Sequence, residues 1–355
     1  MNSTNQTQIE NALNEACSTF VFSGYQLAAE CAQKSQLWVG GKTSYWAPEK
    51  KVTGSTYFDL GSLTKVVATT SIIARLVDQG KLLLSLTLGD CFRQFKGTGY
   101  EKMALKSLLT HSAGLLAWYP FFKEAKTPLI DIFCKLEKSF VKQPISTKAT
   151  YSDLGFLLLG EVLKEKFGPL EKLFEREVLH PLNLKGIQYG PLPAIDCAAT
   201  EFCLERKKLA QGEVFDLNTV YLGHCSSHAG LFASAVDLLP WAREWLKAVL
   251  GNSKWLSEET AKSFVTRDPK LNESTWALGW DTKSIAFSSA GEFFSSSSFG
   301  HLGYPGTSVW IDPEREGIAI LLTNRVHPSR LDERIKRFRP RIHNLLAKAW
   351  ESHGN

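Results

Sequence analysis

The spacing of apolar positions changes its period along the chain. Residues 1–20 have a helical spacing, whereas YQLAAECAQKSQLWVGG (25–41) is typical of two short strands joined by a polar turn. From about residue 81 to 290 the period is mostly helical, with loops rich in glycine and proline. Within it, YSDLGFLLLGEVLKEKFG (151–168) predicts a helix capped near Ser152 or Asp153 and closed by glycine.

Strand patterns return after residue 290. Residues 307–311 and 317–323 flank the turn DPEREG and predict a hairpin, and a last helix is expected over about 330–351. Strands at both ends around a helical middle predict one sheet assembled from both ends of the chain. The fold class is therefore predicted to be α/β, of the α+β type.

Composition narrows the classes of function. The chain has 355 residues, 44% apolar and 22% charged, as in ordinary soluble proteins. The net charge of +5 is too slight and scattered for a nucleic-acid partner, and the basic segment RIKRFRPRIH (334–343) is predicted to be a solvated helix face. No segment resembles a secretory signal or a membrane span, so no membrane partner is expected. The seven cysteines have no framework spacing, which favours reduced thiols and a cytoplasmic location.

The segment FDLGSLTKVVATT (58–70) has the first candidate chemistry. Ser62 and Lys65 stand at i and i+3, so they share one face of a predicted helix that ends at Gly80. A serine hydroxyl needs a base within reach to become a nucleophile, and a buried lysine among other cations can lose its proton near neutral pH. Alone, the pair is a weak signal, because S-x-x-K occurs by chance in many proteins and an ordinary capped helix with a surface lysine would also explain it.

Three later segments change this interpretation: LKSLLTHSAGLLAW (105–118), YSDLGF (151–156) and GHLGYPGT (300–307). With Ser62 and Lys65, they resemble the serine β-lactamase and penicillin-binding-protein-like hydrolases. The class C β-lactamase-related branch, which includes D-alanyl-D-alanine carboxypeptidases, D-amino-acid peptidases and family VIII esterases, is the most similar. That family has S-x-x-K, then Y-x-N or Y-S-D/N, then K-T-G or H-x-G, in this order.

The resemblance extends over about residues 24–344 and implies a role for each matching residue. Ser62 corresponds to the acylated nucleophile and Lys65 to its proton acceptor. Tyr151 corresponds to the tyrosine that shares proton transfer to the leaving group, and Asp153 to a residue that contacts substrate or Lys65. The backbone N–H groups of Ser62 and Tyr304 would form the oxyanion hole.

The resemblance also implies a fold and a domain organisation. The fold is an antiparallel sheet flanked by helices, with a mostly helical second region and the site between them. Residues 1–355 are expected to form a single catalytic domain. Its sheet region comprises about 20–80 and 290–355, and its helical region about 81–290.

The third motif departs from the family pattern. His301 replaces the common lysine and would be charged only part of the time near neutral pH. Leu302 stands where a hydroxyl normally helps to hold a substrate carboxylate, although Thr307 or Ser308 could compensate. Gly303 is expected to leave room for the acyl group. These departures favour an ester, or an amide without a free carboxylate, over a β-lactam.

Several of these residues could instead have a purely structural role. Tyr151 could be a packed aromatic residue, Asp153 only a helix cap, and His301 a structural strand residue. His111 is expected to order its loop. The Cys and His residues between 197 and 228 match no zinc-site spacing, so no metal is expected. These residues are Cys197, Cys203, His224, Cys225 and His228.

The predicted function is that of a cofactor-free serine hydrolase acting through an acyl-enzyme on Ser62. Its substrate would be a small ester, amide or short peptide. The alternative is a non-catalytic relative that binds a cell-wall fragment or a partner protein. The acyl group, the leaving group and the oligomeric state stay open.

Overall fold

The computed structural model describes residues 3–124, 127–146, 148–271 and 273–351. Its strands are β1 Gly24–Cys31, β2 Lys34–Gly41, β3 Phe58–Asp59, β4 Gln188–Tyr189, β5 Ala199–Cys203, β6 Lys208–Gln211, β7 Leu231–Ala233, β8 Asp281–Thr282, β9 Phe299–Leu302, β10 Ser308–Asp312 and β11 Gly317–Thr323. The main antiparallel sheet has the order β2-β1-β11-β10-β9-β8. Two smaller sheets have the orders β3-β7-β4 and β5-β6.

Helices surround these sheets. The α-helices are α1 Ser3–Ser18, α2 Ser71–Asp78, α3 Leu88–Cys91, α4 Leu105–Leu109, α5 Leu129–Lys135, α6 Glu137–Phe140, α7 Asp153–Phe167, α8 Leu170–Phe174, α9 Leu217–Tyr221, α10 Ala235–Val249, α11 Glu258–Val265 and α12 Ile335–Glu351. Two π-helical segments are Lys65–Thr70 and Glu175–Leu179, and three 3₁₀ turns are Arg93–Phe95, Phe121–Lys123 and Ala194–Asp196. No helix of the described ranges is both long and apolar enough to cross a membrane.

The main sheet is buried on both faces, and β11 shows why. Its side chains alternate, so Ile318 and Ile320 contribute to one apolar core while Ala319 and Leu321 contribute to the other. Helices α1 and α12 cover the second of these faces. Helix α10 packs on the first face, in the core that also contains α2 and α7. The sheet is thus the middle layer of the molecule, and the β9 residues His301 and Leu302 lie beyond the two that pair with β8.

The predicted sheet from both ends of the chain is confirmed, and the predicted hairpin is β10–β11. Ser152 caps α7 by accepting from the Gly155 N–H, and Gly168 ends that helix at φ +97°. The last helix begins at Ile335, because the preceding segment is held in a non-helical course by Arg325, which donates to two of its backbone carbonyls.

The structure differs from the sequence-based expectations in the region 81–290 and in the basic segment 334–343. Residues 81–290 contain short strands besides helices, because two- and three-residue strands are too short to show a period. The basic segment 334–343 is not wholly a solvated face, since Arg339 and His343 are buried. The division of the chain at about residues 80 and 290 stays a prediction.

Candidate active site

A tight turn presents Ser62 between β3 and the first π-helical segment. The buried Asp59 carboxylate accepts from the Gly61 N–H at 2.8 Å and from the Phe215 N–H at 2.7 Å. Burial raises the pKa of Asp59 to about 6, although these two hydrogen bonds oppose that effect. Gly61 has φ +51°, a conformation that glycine adopts without strain. The partly exposed Ser62 follows directly, so its position is fixed from the β3 side.

The helix after Ser62 begins with a π-helical segment, Lys65–Thr70, in which every residue is buried. The Ser71 hydroxyl donates to the Val66 carbonyl at 2.8 Å, and the Thr69 hydroxyl donates to the Ser227 carbonyl at 2.7 Å. The predicted helix from Ser62 to Gly80 therefore exists, but its first part is wider than an α-helix. Such segments are frequent at functional sites.

Lys65 lies at the centre of the site, with a side chain that is 0% exposed. Its Nζ is 3.0 Å from Ser62 Oγ, 2.7 Å from Asp153 Oδ1 and 3.2 Å from the His228 carbonyl oxygen. Burial lowers the pKa of Lys65, but the Asp153 carboxylate and then Tyr151 outweigh it, so that the pKa is raised. The expectation of a readily deprotonated lysine among cations is therefore wrong, because its nearest charged neighbour is an anion.

Tyr151 lies beside Lys65 in the same site. Lys65 Nζ lies 5.0 Å from the centre of its ring, and Lys65 and Ser62 are both close enough to lower the pKa of its hydroxyl. Burial raises the pKa of Tyr151 against the opposing effect of Lys65, so the group is a phenol at neutral pH. Its ring packs against His111 at 4.7 Å and Trp276 at 5.3 Å between centroids. Tyr151 is thus more than a packed aromatic residue.

Asp153 is the first residue of α7 and is not its cap. Ser152 makes the capping hydrogen bond, which leaves the Asp153 carboxylate to pair with Lys65. Of the two contacts that the family resemblance implies for this position, the structure has the one with Lys65. The interpretation of Asp153 as only a helix cap is excluded.

The end of β9 packs closely against the turn before Ser62. A Cβ at Gly303 would lie 1.9 Å from Thr307 Oγ1 and 2.4 Å from the Leu60 carbonyl oxygen. Gly303 is thus required for the packing of its own segment, a different reason from the expected room for an acyl group. The Tyr304 nitrogen lies 3.4 Å from where a Cβ of Gly61 would stand.

These contacts bring the segment that carries the Tyr304 N–H close to the turn that carries Ser62, where the oxyanion hole is predicted. Within the described ranges, neither the Ser62 nor the Tyr304 N–H donates to another protein group. Two free N–H groups close to a candidate nucleophile are what an oxyanion hole requires. The Tyr304 side chain is half exposed and stacks on Phe215 at 5.6 Å between centroids.

The third motif has no charged anchor. His301 is buried, and burial and then Lys65 lower its pKa to about 3, so it is neutral at physiological pH and not partly charged as expected. Its Nδ1 pairs with the Leu302 carbonyl at 2.8 Å. Thr307 and Ser308 are fully buried, and the Thr307 hydroxyl donates to the Leu60 carbonyl. Neither hydroxyl can replace the one that Leu302 lacks.

Sequence reasoning missed one supporting pair, Asp216 and His228. His228 Nε2 is 3.0 Å from Asp216 Oδ1 and its Nδ1 is 2.7 Å from the Ser226 hydroxyl, so the imidazole is held on both sides. Its backbone carbonyl accepts from Lys65. Burial opposes ionisation of Asp216, but His228 and the Thr219 hydrogen bonds lower its pKa to about 2. The stretch SSHAGL (226–231) gives no sign of this contact, because a contact made by a backbone carbonyl leaves no mark in a sequence.

His111 and Trp276 complete the wall around Tyr151. His111 Nδ1 accepts from the Ser152 N–H at 3.1 Å, so His111 orders the loop before α7, as expected. Burial lowers the pKa of His111 well below its usual value, so this ring is neutral. Trp276 lies 5.6 Å from His301 between centroids. The wall is therefore aromatic and uncharged.

The fold is shared with a class C β-lactamase and with the hydrolase EstCE1. A solved class C β-lactamase superposes with a TM-score of 0.76 at 15% identity, over 98% of both chains. EstCE1, described as a hydrolase with promiscuous acyltransferase activity, has a TM-score of 0.77 at 17% identity, over 97% of this chain and 98% of its own. At these identities the likeness concerns the fold.

The sequence comparison identifies the family. The Beta-lactamase family model matches residues 36–341, and the chain belongs to that family. It is 32% identical to the N-acetylmuramyl-L-alanine amidase of Bacillus subtilis (strain 168), over 79% of this chain and 71% of the relative. A provisionally named D-alanyl-D-alanine carboxypeptidase of Salmonella agona (strain SL483) is 30% identical, over 78% of this chain and 71% of the relative. The chain is a β-lactamase-related serine hydrolase, which confirms the prediction over a non-catalytic binding protein.

Proposed function

We propose that the chain hydrolyses an ester or amide through an acyl-enzyme on Ser62. The observation that carries the proposal is the contact of Ser62 Oγ with the fully buried Lys65, whose ammonium also pairs with Asp153 at 2.7 Å. Tyr151 lies beside this pair, with Lys65 Nζ 5.0 Å from the centre of its ring. A hydroxyl in contact with a proton-transfer group that a third residue orients is the arrangement of an activated nucleophile.

The protons must balance around a lysine that starts as an ammonium. Lys65 can receive the Ser62 proton, directly or through Tyr151, only while it passes one of its own protons to Asp153. Ser62 Oγ then bonds to the substrate carbonyl carbon, and the carbonyl π electrons move to the oxygen. When this intermediate collapses, the proton returns through Lys65 and Tyr151 to the leaving group. Water repeats the sequence and releases the acyl group.

The oxyanion formed in each step would rest on the backbone N–H groups of Ser62 and Tyr304. Neither group donates to another described residue, and the segment of Tyr304 packs against the turn that carries Ser62. Fixed amide donors stabilise charge that develops in the transition state without reorganising. Gly303 serves this arrangement by allowing β9 to approach Leu60.

The lining of the site favours substrates without a free carboxylate beside the scissile bond. His301 is neutral, Leu302 is apolar, and the Thr307 and Ser308 hydroxyls are buried. An ester is the simplest such substrate. An amide within a muramyl peptide is a second candidate, which the name of the 32% identical amidase favours.

We further propose a single catalytic domain in a reducing, cytoplasmic compartment. The site takes Ser62 and His301 from the predicted sheet region and Tyr151 and Asp153 from the predicted helical region, which supports one unit. All seven cysteines are free, which supports a reducing compartment.

Four substrates test the proposal: a p-nitrophenyl ester, a muramyl-L-alanine amide, a D-Ala-D-Ala peptide and a penicillin. We expect pre-steady-state bursts with the ester or the muramyl amide, and slow or absent turnover of the two carboxylate-bearing substrates. The Ser62→Ala variant should abolish every burst. Rapid penicillin hydrolysis, or ester turnover that survives in the variant, would contradict the proposal.

A further inference from the structure

Arg339, on the inner face of α12, lies directly behind the end of β9. Its side chain is buried, and its Nη2 donates to the Gly303 carbonyl at 3.0 Å and to the Thr307 carbonyl at 2.8 Å. Its Nε is buried without a partner. Among the described residues, no carboxylate lies within ion-pair distance of this guanidinium. It is therefore a buried cation without a counter-ion.

Burying this guanidinium without an opposite charge costs free energy of folding, so a role beyond stability is worth seeking. A buried charge without an opposite charge is strongly disfavoured unless hydrogen bonds compensate it. Burial and then the neighbouring Arg325 lower the pKa of Arg339 to about 9, so the group stays cationic at neutral pH. Two other partly buried arginines have a counter-ion: Arg243 pairs with Glu30, and Arg330 pairs with Glu201. Within the described part of the chain, the acceptors of Arg339 are carbonyl oxygens alone.

One of these carbonyls is linked covalently to the proposed oxyanion hole. The Gly303 C=O and the Tyr304 N–H belong to the same trans peptide, so they point in opposite directions. A charged donor at the carbonyl draws electron density from the amide nitrogen, and hydrogen bonds in such a chain strengthen one another. The N–H on the far side of the peptide becomes a better donor.

A second guanidinium fixes the next peptide of the same turn. Arg325 Nε donates to the Tyr304 carbonyl at 2.9 Å, and its Cζ lies 4.4 Å from the centre of the Tyr304 ring. The Gly303 N–H also donates to the Thr307 carbonyl, the second acceptor of Arg339. The turn is thus held from both sides, while the Tyr304 N–H donates to no residue within the described ranges.

We propose that Arg339 is a positioning residue that polarises the Gly303–Tyr304 peptide and thereby strengthens the Tyr304 N–H as an oxyanion donor. The inference rests on the proposed acyl-enzyme of Ser62. It adds a role for a helix that contributes no side chain to the cleft. The charge acts through one peptide group, on the transition state and on the acyl carbonyl alike.

The test is the infrared stretching frequency of the acyl carbonyl in the trapped acyl-enzyme, with a ¹³C-labelled acyl ester as the probe. Arg339→Gln keeps an amide donor but removes the charge. We expect a higher carbonyl frequency and a kcat about tenfold to a hundredfold lower, less than the loss of a whole oxyanion donor, with little change in KM. The control is Arg337→Gln, an exposed position on the same helix, which should change neither.

A second variant tests the same proposal if Arg339→Gln folds poorly. In Arg339→Lys the introduced buried ammonium should lose its proton at lower pH than a guanidinium does. The charged group that faces it is Arg325. The acyl carbonyl frequency of this variant should therefore rise between about pH 7 and 10, whereas that of the wild type stays constant.

The outcomes separate the two proposals. A wild type that forms no acyl-enzyme refutes the proposed function. A wild type that acylates, beside a folded Arg339→Gln with unchanged frequency and kcat, overturns the role of Arg339. A pH-independent frequency in Arg339→Lys equal to that of the wild type overturns it as well.

Discussion

The Lys65–Asp153 ion pair makes a quantitative prediction through Asp153→Asn, which keeps the shape of the side chain and removes its charge. Two unit charges 2.7 Å apart attract by about 6 kcal/mol at an effective dielectric constant of about 20. Removing one partner of a buried pair costs about 3–5 kcal/mol of stability, because the other charge is left uncompensated. Loss of the Lys65 proton would relieve part of this cost.

The pH dependence has a definite sign. In the wild type the pKa of Lys65 is raised, so the contribution of the pair is complete below the unfolded lysine pKa of about 10.4 and is lost as pH rises through the folded pKa. In the variant, burial acts without the carboxylate and lowers the pKa of Lys65. The variant therefore regains stability as pH rises toward about 10.4. The stability gap should be widest near neutral pH and close at alkaline pH.

Thermal unfolding at pH 7 and pH 10 measures this gap. For 355 residues the unfolding entropy is about 0.7 kcal/mol/K, so a loss of about 4 kcal/mol lowers Tm by about 5 °C. The matched control is Asp268→Asn, whose partner Lys106 is at a similar distance, 2.8 Å, but 53% exposed. This pair should contribute at most about 1 kcal/mol. An Asp153→Asn gap that is absent, or equal at both pH values, would refute the reasoning.

Three further predictions follow from the same site. Gly303→Ala would place a Cβ 1.9 Å from a threonine hydroxyl, so ester assays should show a loss of about 10²–10³ in kcat. The control Gly54→Ala, at a less crowded position, should retain activity. Equal activity of the two variants would contradict the packing argument. Asp216→Asn should weaken the support of His228 and destabilise the protein by about 1–3 kcal/mol in urea at pH 7. Because the pKa of Asp216 is lowered to about 2, this difference should shrink as pH falls from about 4 toward 2, and a constant difference would argue against the ion pair. Since His301 is neutral above its pKa of about 3, the His301→Gln variant should show the same pH dependence of the hydrolysis rate as the wild type. If the variant lost a change of rate that the wild type shows near pH 6, His301 would be the group that ionises there.

The elements that the sequence predicted best are those with long periods and explicit end signals. The helix that begins after Ser152 has a capping serine and a closing glycine, so its bounds were readable. The β10–β11 hairpin flanks a turn of typical composition. By contrast, β3 and β7 have two and three residues, and their pairing depends on tertiary contacts between distant segments. The π-helical start after Ser62 is likewise a product of packing, not of propensity.

The candidate site was predicted as a set of residues, but its electrostatics were not. The order of motifs predicted that Ser62, Lys65 and Tyr151 meet, and the structure has Lys65 in contact with Ser62 and its Nζ 5.0 Å from the centre of the Tyr151 ring. The proximity of Asp153 to Lys65 reverses the direction of the lysine pKa, and spacing alone does not reveal that distance. Arg339 looked like one of several solvated basic residues, because a helical pattern does not show which cation turns inward.

The most direct test of the acyl-enzyme is the intact mass of the protein after brief incubation with a p-nitrophenyl ester, followed by peptide mapping. The account predicts one added acyl group, located on the peptide that contains Ser62, and none in Ser62→Ala. An acyl group on another residue, or an equal adduct in the Ser62→Ala variant, would contradict the central claim.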